Sequence, residues 1–216
     1  MEQETLRERL KSKPDPERLA AEAGADPALL AALLEMAESE RTALRYSATK
    51  AVRILSGQRP EQVYLHYAAV VPWLRASNSF VKWDGILTLG NLAAVDRENR
   101  FAPLYGEYFG LLRDPQMVTA ANVVRSAWKF ALARPEWEPD ITRRLLEVPE
   151  IPYLHHGEPS PECNRVLCGH LLDCFDRYFD RAQEQGALLA FAQSQLHSPR
   201  KGTAKAAARF LRRHGG

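Results

Sequence analysis

The stretch from Leu111 to Leu132, LLRDPQMVTAANVVRSAWKFAL, joins the end of an apolar helix to a short polar turn and a second helix. Small or apolar residues recur every three or four positions in that second helix. Matching points of the same plan recur about 37 to 42 residues apart. A period in that range is typical of stacked helical hairpins, each of which buries its apolar face against its neighbours. The other three copies are Leu34 to Leu55 (LEMAESERTALRYSATKAVRIL), Trp73 to Leu92 (WLRASNSFVKWDGILTLGNL) and Gln195 to Leu211 (QLHSPRKGTAKAAARFL).

Helical windows fill the chain from residue 26 onward and predict an all-α fold. The sequence contains no sustained alternation of apolar and polar residues, so it predicts no strand. Asp26 and Pro27 open the first helix as an N-cap followed by proline. Residues 1–25 are predicted to be a cap, partly disordered or helical, and 26–216 the repeat domain. The five predicted helix pairs are 26–37 with 40–56, 60–75 with 78–94, 98–113 with 115–133, 137–147 with 161–181, and 184–197 with 199–214.

The second helix of each pair carries a face of small and apolar residues at helical spacing. Small side chains on such a face allow helix axes to approach closely. These faces are Leu44, Ala48, Ala51 and Leu55; Val81, Gly85, Leu89 and Leu92; and Ala204, Ala207 and Leu211. The sequence therefore predicts a core that includes Leu89, Leu92, Ala127, Leu171 and Leu211.

Two first helices contain a proline followed by an apolar residue, at Pro72-Trp73-Leu74 and Pro103-Leu104. Together with the polar turn Arg113-Asp114-Pro115 and second helices that place Ala121 after Val118, this pattern resembles the HEAT repeat family over residues 27–214. The resemblance implies an α-α superhelix, a right-handed solenoid of about five stacked antiparallel helix pairs. It also implies that the second helices line a concave face.

Composition bounds the class of protein. Hydrophobic residues make up 45% and charged residues 26% of the 216, the balance of an ordinary globular domain. No apolar run approaches the roughly 20 residues of a membrane span, which predicts no membrane partner. The charged N-terminus lacks the apolar core of a signal peptide, and three cysteines do not form a disulfide framework. These features favour a cytoplasmic protein.

Residues away from the core faces of the second helices predict an aromatic and basic strip. Trp, Tyr and Arg are the residue types that dominate binding hot spots. The alternative is that the two tryptophans fill gaps between adjacent repeats, as aromatic residues at helical spacing usually do. The predicted strip consists of Tyr46, Trp83, Leu87, Arg125, Trp128 and Lys129.

A second candidate surface lies near the C-terminus, where no acidic residue follows Glu184. Four cations fall on one side of the last helix, where they would meet successive phosphates of a nucleic acid. The alternative is a solvated face on a terminal capping repeat. The stripe consists of Lys201, Lys205, Arg209 and Arg212.

Histidines and cysteines between residues 155 and 174 superficially suggest a metal site. His170 and Cys174 are four residues apart on one helix, and the loop histidines His155 and His156 would have to complete the site. No paired CxxC motif is present, and buried cysteines commonly pack as small hydrophobic residues. The sequence therefore predicts neither a metal site nor a cofactor.

Catalytic motifs are absent from the sequence: it contains no GxSxG, no HExxH and no P-loop. We therefore assign no catalytic residue and predict a scaffold that binds a partner protein through its concave face. The alternative is a nucleic-acid-binding or DNA-repair protein that resembles the HEAT-like alkylpurine DNA glycosylases. That family grips DNA with concave aromatic and basic residues and an acidic residue, for which this chain offers Asp84 beside Trp83.

Overall fold

The computed structural model of the protein describes residues 3–39 and 43–215, apart from the side chain of residue 3. Helices account for nearly all regular structure in these ranges, which confirms the all-α prediction. Thirteen α-helices occur there: α1 (Gln3–Lys11), α2 (Pro16–Ala25), α3 (Pro27–Ser39), α4 (Leu44–Gln58), α5 (Pro60–Tyr64), α6 (Tyr67–Val70), α7 (Ser79–Leu92), α8 (Tyr105–Gly110), α9 (Met117–Ala133), α10 (Glu138–Leu146), α11 (Pro161–Asp176), α12 (Gln185–Ser194) and α13 (Lys201–His214).

The chain forms two compact units, Met1–Arg100 and Phe101–Gly216, called unit 1 and unit 2 below. In unit 1, α4 packs against α2, α3 and α7. The sequence predicts that this helix begins at residue 40, which lies outside the described residues. In unit 2, α11 packs against both α9 and α13, and α12 covers α13. Second helices therefore contact one another side by side within each unit.

Side-chain caps set the starts of two helices, at the predicted Asp26 and at Asn78, which was not predicted. Asp26 Oδ1 accepts a hydrogen bond from the Ala28 backbone N–H (2.9 Å). Asn78 Oδ1 accepts from the backbone N–H groups of Phe80 and Val81 at the start of α7 (3.0 and 3.3 Å). Each contact satisfies a donor that the first turn of a helix leaves without a partner.

The first helices are less regular than predicted. The window 60–75 is α5, α6 and a 3-10 helix at Val71–Arg75, and the window 98–113 is α8 between 3-10 helices at Ala102–Leu104 and Leu111–Arg113. A proline lies near the start of two of these 3-10 segments, where it removes a backbone donor. The prediction of one continuous helix in each window is therefore wrong.

The predicted core residues Leu89, Leu92, Ala127 and Leu171 are buried, which confirms their faces. The face predicted for the last helix is wrong in part, because Leu211 and Ala204 are only half-buried. The face is shifted because the Thr203 hydroxyl donates to the Arg165 carbonyl (2.7 Å) and the Phe210 ring packs edge-on against Phe179 (5.5 Å). The buried residues of α13 are Thr203, Ala206, Ala207 and Phe210.

Residues 149–161, which connect the predicted helices 137–147 and 161–181, contain the only strands in the described ranges. Leu154–His155 pairs with Glu158–Pro159 as a small antiparallel hairpin, β1 and β2, which corrects the expectation of no strand. Tyr153 is fully buried, and its hydroxyl donates to the Leu112 carbonyl (2.6 Å). The base of the connector is therefore anchored, and its exposed part is the hairpin.

Candidate binding surfaces of the two units

Unit 1 brings two members of the predicted strip together through a third aromatic residue. The Phe80 ring lies 5.5 Å from the Tyr46 ring and 5.2 Å from the Trp83 ring. The Tyr46 hydroxyl accepts a hydrogen bond from Asn78 Nδ2 (2.7 Å). Tyr46 and Trp83 are half-buried, whereas Phe80 is 58% exposed. We call Tyr46, Phe80 and Trp83 the aromatic cluster.

Sequence reasoning missed Phe80, although a signal was present. Phe80 precedes Trp83 by three residues on α7, the spacing that places two side chains on one helix face. Leu87, the next predicted member of the strip, is half-buried on the same helix. The aromatic cluster is thus part solvent-exposed surface and part packing.

Asp84 lies beside the aromatic cluster and joins α7 to α4. Its carboxylate accepts hydrogen bonds from Thr49 Oγ1 (2.7 Å) and Arg53 Nε (2.8 Å), and its side chain is 14% exposed. Burial raises the pKa of Asp84 although Thr49 and Arg53 oppose that shift. The carboxylate is engaged between two helices rather than presented to solvent.

Unit 2 contains an open cavity of about 1000 Å³ that is lined by side chains of α9, α11 and α13 and by Arg177, which follows α11. Its size lies at the upper end of the range typical of small-molecule sites. Three arginines, one tryptophan and one histidine contribute to it together with two aspartates. The lining residues are Arg125, Trp128, His170, Asp173, Cys174, Asp176, Arg177 and Arg213. We call this cavity the basin.

Trp128 is the aromatic surface of the basin and is half-buried. The Arg177 guanidinium carbon lies 5.6 Å from the centre of its ring, and so does the Lys129 ammonium nitrogen. Both distances fall within the range of cation–π attraction. Arg177, absent from the predicted strip, is found only through the fold, because it follows α11 whereas Trp128 lies on α9.

Burial and neighbouring cations lower the pKa values of two groups at or beside the basin. Burial, with help from the neighbouring charges of Arg125 and Arg177, lowers the pKa of Lys129 below its ordinary value. Burial and the charges of Arg125 and Arg200 lower the pKa of His170, while Asp173 opposes the shift. Both shifts show that adding a further positive charge here is unfavourable.

The predicted basic stripe is only partly available for binding. Arg209 donates to Asp173 Oδ1 (2.7 Å), and the adjacent Arg213 donates to Asp176 Oδ2 (2.8 Å). His214 Nε2 also lies 2.8 Å from Asp176 Oδ1. These pairs join α13 to α11. The remaining members of the stripe, Lys201, Lys205 and Arg212, are exposed.

The residues considered for metal binding fall into two places in unit 2. His155 and His156 are exposed on the hairpin with their rings 4.1 Å apart, whereas His170 and Cys174 line the basin. Burial raises the pKa of the Cys174 thiol to about 12, which keeps it protonated. Across the described part of the chain, no three His, Cys, Asp or Glu side chains are grouped to hold a metal ion.

The structure thus assembles the predicted strip in two halves, Tyr46, Trp83 and Leu87 in unit 1 and Arg125, Trp128 and Lys129 in unit 2. One continuous strip across both units stays a prediction. Comparison with known proteins yields no matching family model and no matching curated protein. Within the described ranges, no helix combines the length and apolar character needed to span a bilayer.

Proposed function

We propose that the protein is a helical-repeat binding module of HEAT-like design that holds a segment of a partner protein against its second helices. The basin of unit 2 is the principal contact in this proposal. The observation that carries it is the half-buried Trp128 ring with Arg177 and Lys129 each 5.6 Å from its centre. An aromatic face beside guanidinium groups matches the residue types that dominate binding energy at protein interfaces.

The chemistry of the basin favours a partner segment with acidic and apolar side chains. The indole offers a flat apolar surface, and the surrounding cations attract carboxylates or other anions. The aromatic cluster of unit 1 offers a second, less polar contact, because Phe80 is 58% exposed. Three free cysteines support a reducing compartment such as the cytoplasm.

A nucleic acid is the second candidate partner, favoured by the same cations and by the exposed Lys201, Lys205 and Arg212. Two observations rank it second. Arg209 and Arg213 are already paired with aspartates, which interrupts a continuous positive path. Asp84, the acidic residue that a resemblance to the alkylpurine glycosylases would use, is bound by Thr49 and Arg53.

A selection from a random peptide library displayed on phage tests the proposed function with the full chain as bait. We expect enriched peptides that carry acidic residues beside an aromatic or aliphatic residue, and that lose binding to Trp128→Ala. Leu65→Ala, at a 79% exposed apolar position in unit 1, is the matched control and should retain them.

The alternative is tested in parallel with a random 20-base-pair duplex. If no peptide is enriched and the protein binds the duplex with an affinity that falls steeply as salt rises, the partner is a nucleic acid rather than a protein. Enriched peptides that bind Trp128→Ala as well as the unsubstituted protein would remove the basin from the proposal.

A further inference from the structure

Both carboxylates that line the basin are paired with cations of α13. Asp173 and Asp176 both belong to α11, and both form ion pairs with arginines of α13. Neither Arg125 nor Arg177 has an ion pair with a carboxylate among the residues that the structure describes. The arginines of α13 near the basin are therefore neutralised, whereas the guanidinium groups of Arg125 and Arg177 are not.

Three cations of unit 2 lie close to one another around the Trp128 ring. Arg125, Lys129 and Arg177 all act on the region of the Trp128 ring, and the pKa of Lys129 is lowered partly by the other two. Like charges in a half-buried site repel one another, and a bound anion removes that repulsion. A ligand with more than one negative charge on a small group benefits most.

We infer that the basin binds a phosphorylated side chain, a phosphoserine or phosphothreonine, of the partner segment. This inference rests on the proposed function and specifies the chemistry of its principal contact. A phosphate monoester carries about −1.5 to −2 charges near neutral pH and presents three acceptor oxygens. The planar guanidinium fork of Arg125 or Arg177 matches two of those oxygens, and the indole of Trp128 packs against a neighbouring apolar residue.

The charge pattern also distinguishes a phosphorylated residue from a nucleic-acid backbone. A nucleic acid requires a track of cations that meets successive phosphates. In unit 2 such a track would continue along α13, where Arg209 and Arg213 are held by Asp173 and Asp176. One phosphate group at one point therefore fits the observed charges better than a duplex does.

The test uses the full chain and three pools of fluorescein-labelled peptides, degenerate except for a central phosphoserine, glutamate or serine. Fluorescence anisotropy measures the apparent affinity of each pool. We expect the phosphoserine pool to bind at least about 10-fold more tightly than the serine pool, with the glutamate pool between them. Arg125→Gln and Arg177→Gln should abolish that preference, and both sites are exposed enough for the fold to survive.

Arg212→Gln, at an exposed arginine of α13 outside the basin, is the matched control and should keep the preference. Equal binding of the three pools, or no binding of any, overturns the inference. If displayed peptides still require Trp128 in that case, the proposed function stands without phosphate recognition. Tighter binding of a 20-base-pair duplex than of the phosphoserine pool, lost in Arg177→Gln, would assign the basin to nucleic acid and overturn both.

Discussion

Second helices meet differently in the two units. In unit 1, α4 and α7 are joined by Asp84, which accepts hydrogen bonds from Thr49 and Arg53. In unit 2, α9 and α11 meet beside an open cavity, and the cations Arg125 and Arg177 face it without a carboxylate partner in the described ranges. Charge that joins helices contributes to stability, and charge left beside a cavity is available to a ligand.

The two tryptophans of the predicted strip, Trp83 and Trp128, differ between the units in a similar way. In unit 1 the rings of Tyr46, Phe80 and Trp83 pack against one another. In unit 2 two cations, Lys129 and Arg177, lie over the Trp128 ring. The two tryptophans of the predicted strip therefore have different surroundings. The differences between the two units lead to the predictions below.

The largest expected effect is on stability in unit 1. Asp84→Ala removes a carboxylate that is 14% exposed and leaves Arg53 without its partner. We expect the free energy of unfolding to fall by about 3 kcal/mol, because one half of a largely buried ion pair is left uncompensated. Urea denaturation followed by circular dichroism measures the change.

Asp173→Ala is the matched control in unit 2, because Asp173 also pairs with an arginine of the next second helix but is 61% exposed. Exposed ion pairs contribute little, so a loss below about 1 kcal/mol is expected. Equal losses in the two variants would break the distinction between the units.

Close packing in unit 1 gives the next effect. A Cβ atom at Gly85 would lie 2.7 Å from Trp73 Cβ and 3.2 Å from its carbonyl carbon. Gly85→Ala should therefore reduce stability by about 2 kcal/mol through overpacking. Gly106→Ala, on α8 with no atom within 4 Å of the added carbon, should be neutral or slightly stabilising. Thermal melts of both variants measure the two effects. An unchanged melting temperature for Gly85→Ala would show that α7 does not pack closely against the segment that contains Trp73.

The two tryptophans give the third prediction. Trp128→Ala should weaken binding of the phosphoserine pool by about 10-fold, since it removes the aromatic surface of the basin. Trp83→Ala should weaken it less than about 3-fold if the basin is the principal contact. A continuous strip across both units instead predicts comparable losses, so the ratio of the two affinities separates these alternatives.

The smallest effect concerns pH. Burial and the charge of Arg125 keep the pKa of His170 below its ordinary value, with Arg200 acting in the same direction and Asp173 against it. A bound phosphate group adds negative charge and raises that pKa, so the histidine takes up a proton on binding and strengthens it as pH falls from 8 to about 6.5, above the second pKa of the phosphate near 6. His170→Gln should reduce this pH-dependent gain by about 3-fold in anisotropy titrations. An unchanged gain would place His170 outside the site.

Much of the fold follows from the sequence, because helical periodicity and caps are local properties. The faces around Leu89 and Leu171 and the cap at Asp26 are examples. The buried face of the last helix differs from the prediction because the Thr203 hydroxyl donates to the Arg165 carbonyl. That contact joins segments 38 residues apart. The first helices of the second and third pairs divide into shorter segments, and Pro72 and Pro103 lie in two of their 3-10 segments.

The candidate site was predictable in part. Trp128, Arg125 and Lys129 share α9, so helical spacing alone groups them. Arg177 joins them only through the packing of α11 on α9, and Arg209 leaves the basic stripe only because Asp173 lies opposite it. Contacts between helices far apart in sequence thus decide which cations are available, and no single-helix pattern contains that information.

The central claim is that the unneutralised cations of unit 2 form the binding site, and one charge-reversal comparison tests it most directly. Anisotropy titrations of the phosphoserine pool would compare Arg177→Glu with Arg212→Glu at about 0.15 M salt, where distant surface charges are screened. We predict a loss of at least about 30-fold for Arg177→Glu and less than about 3-fold for Arg212→Glu. Equal losses in the two variants would show that only the net charge of the chain matters, which contradicts a site at the basin.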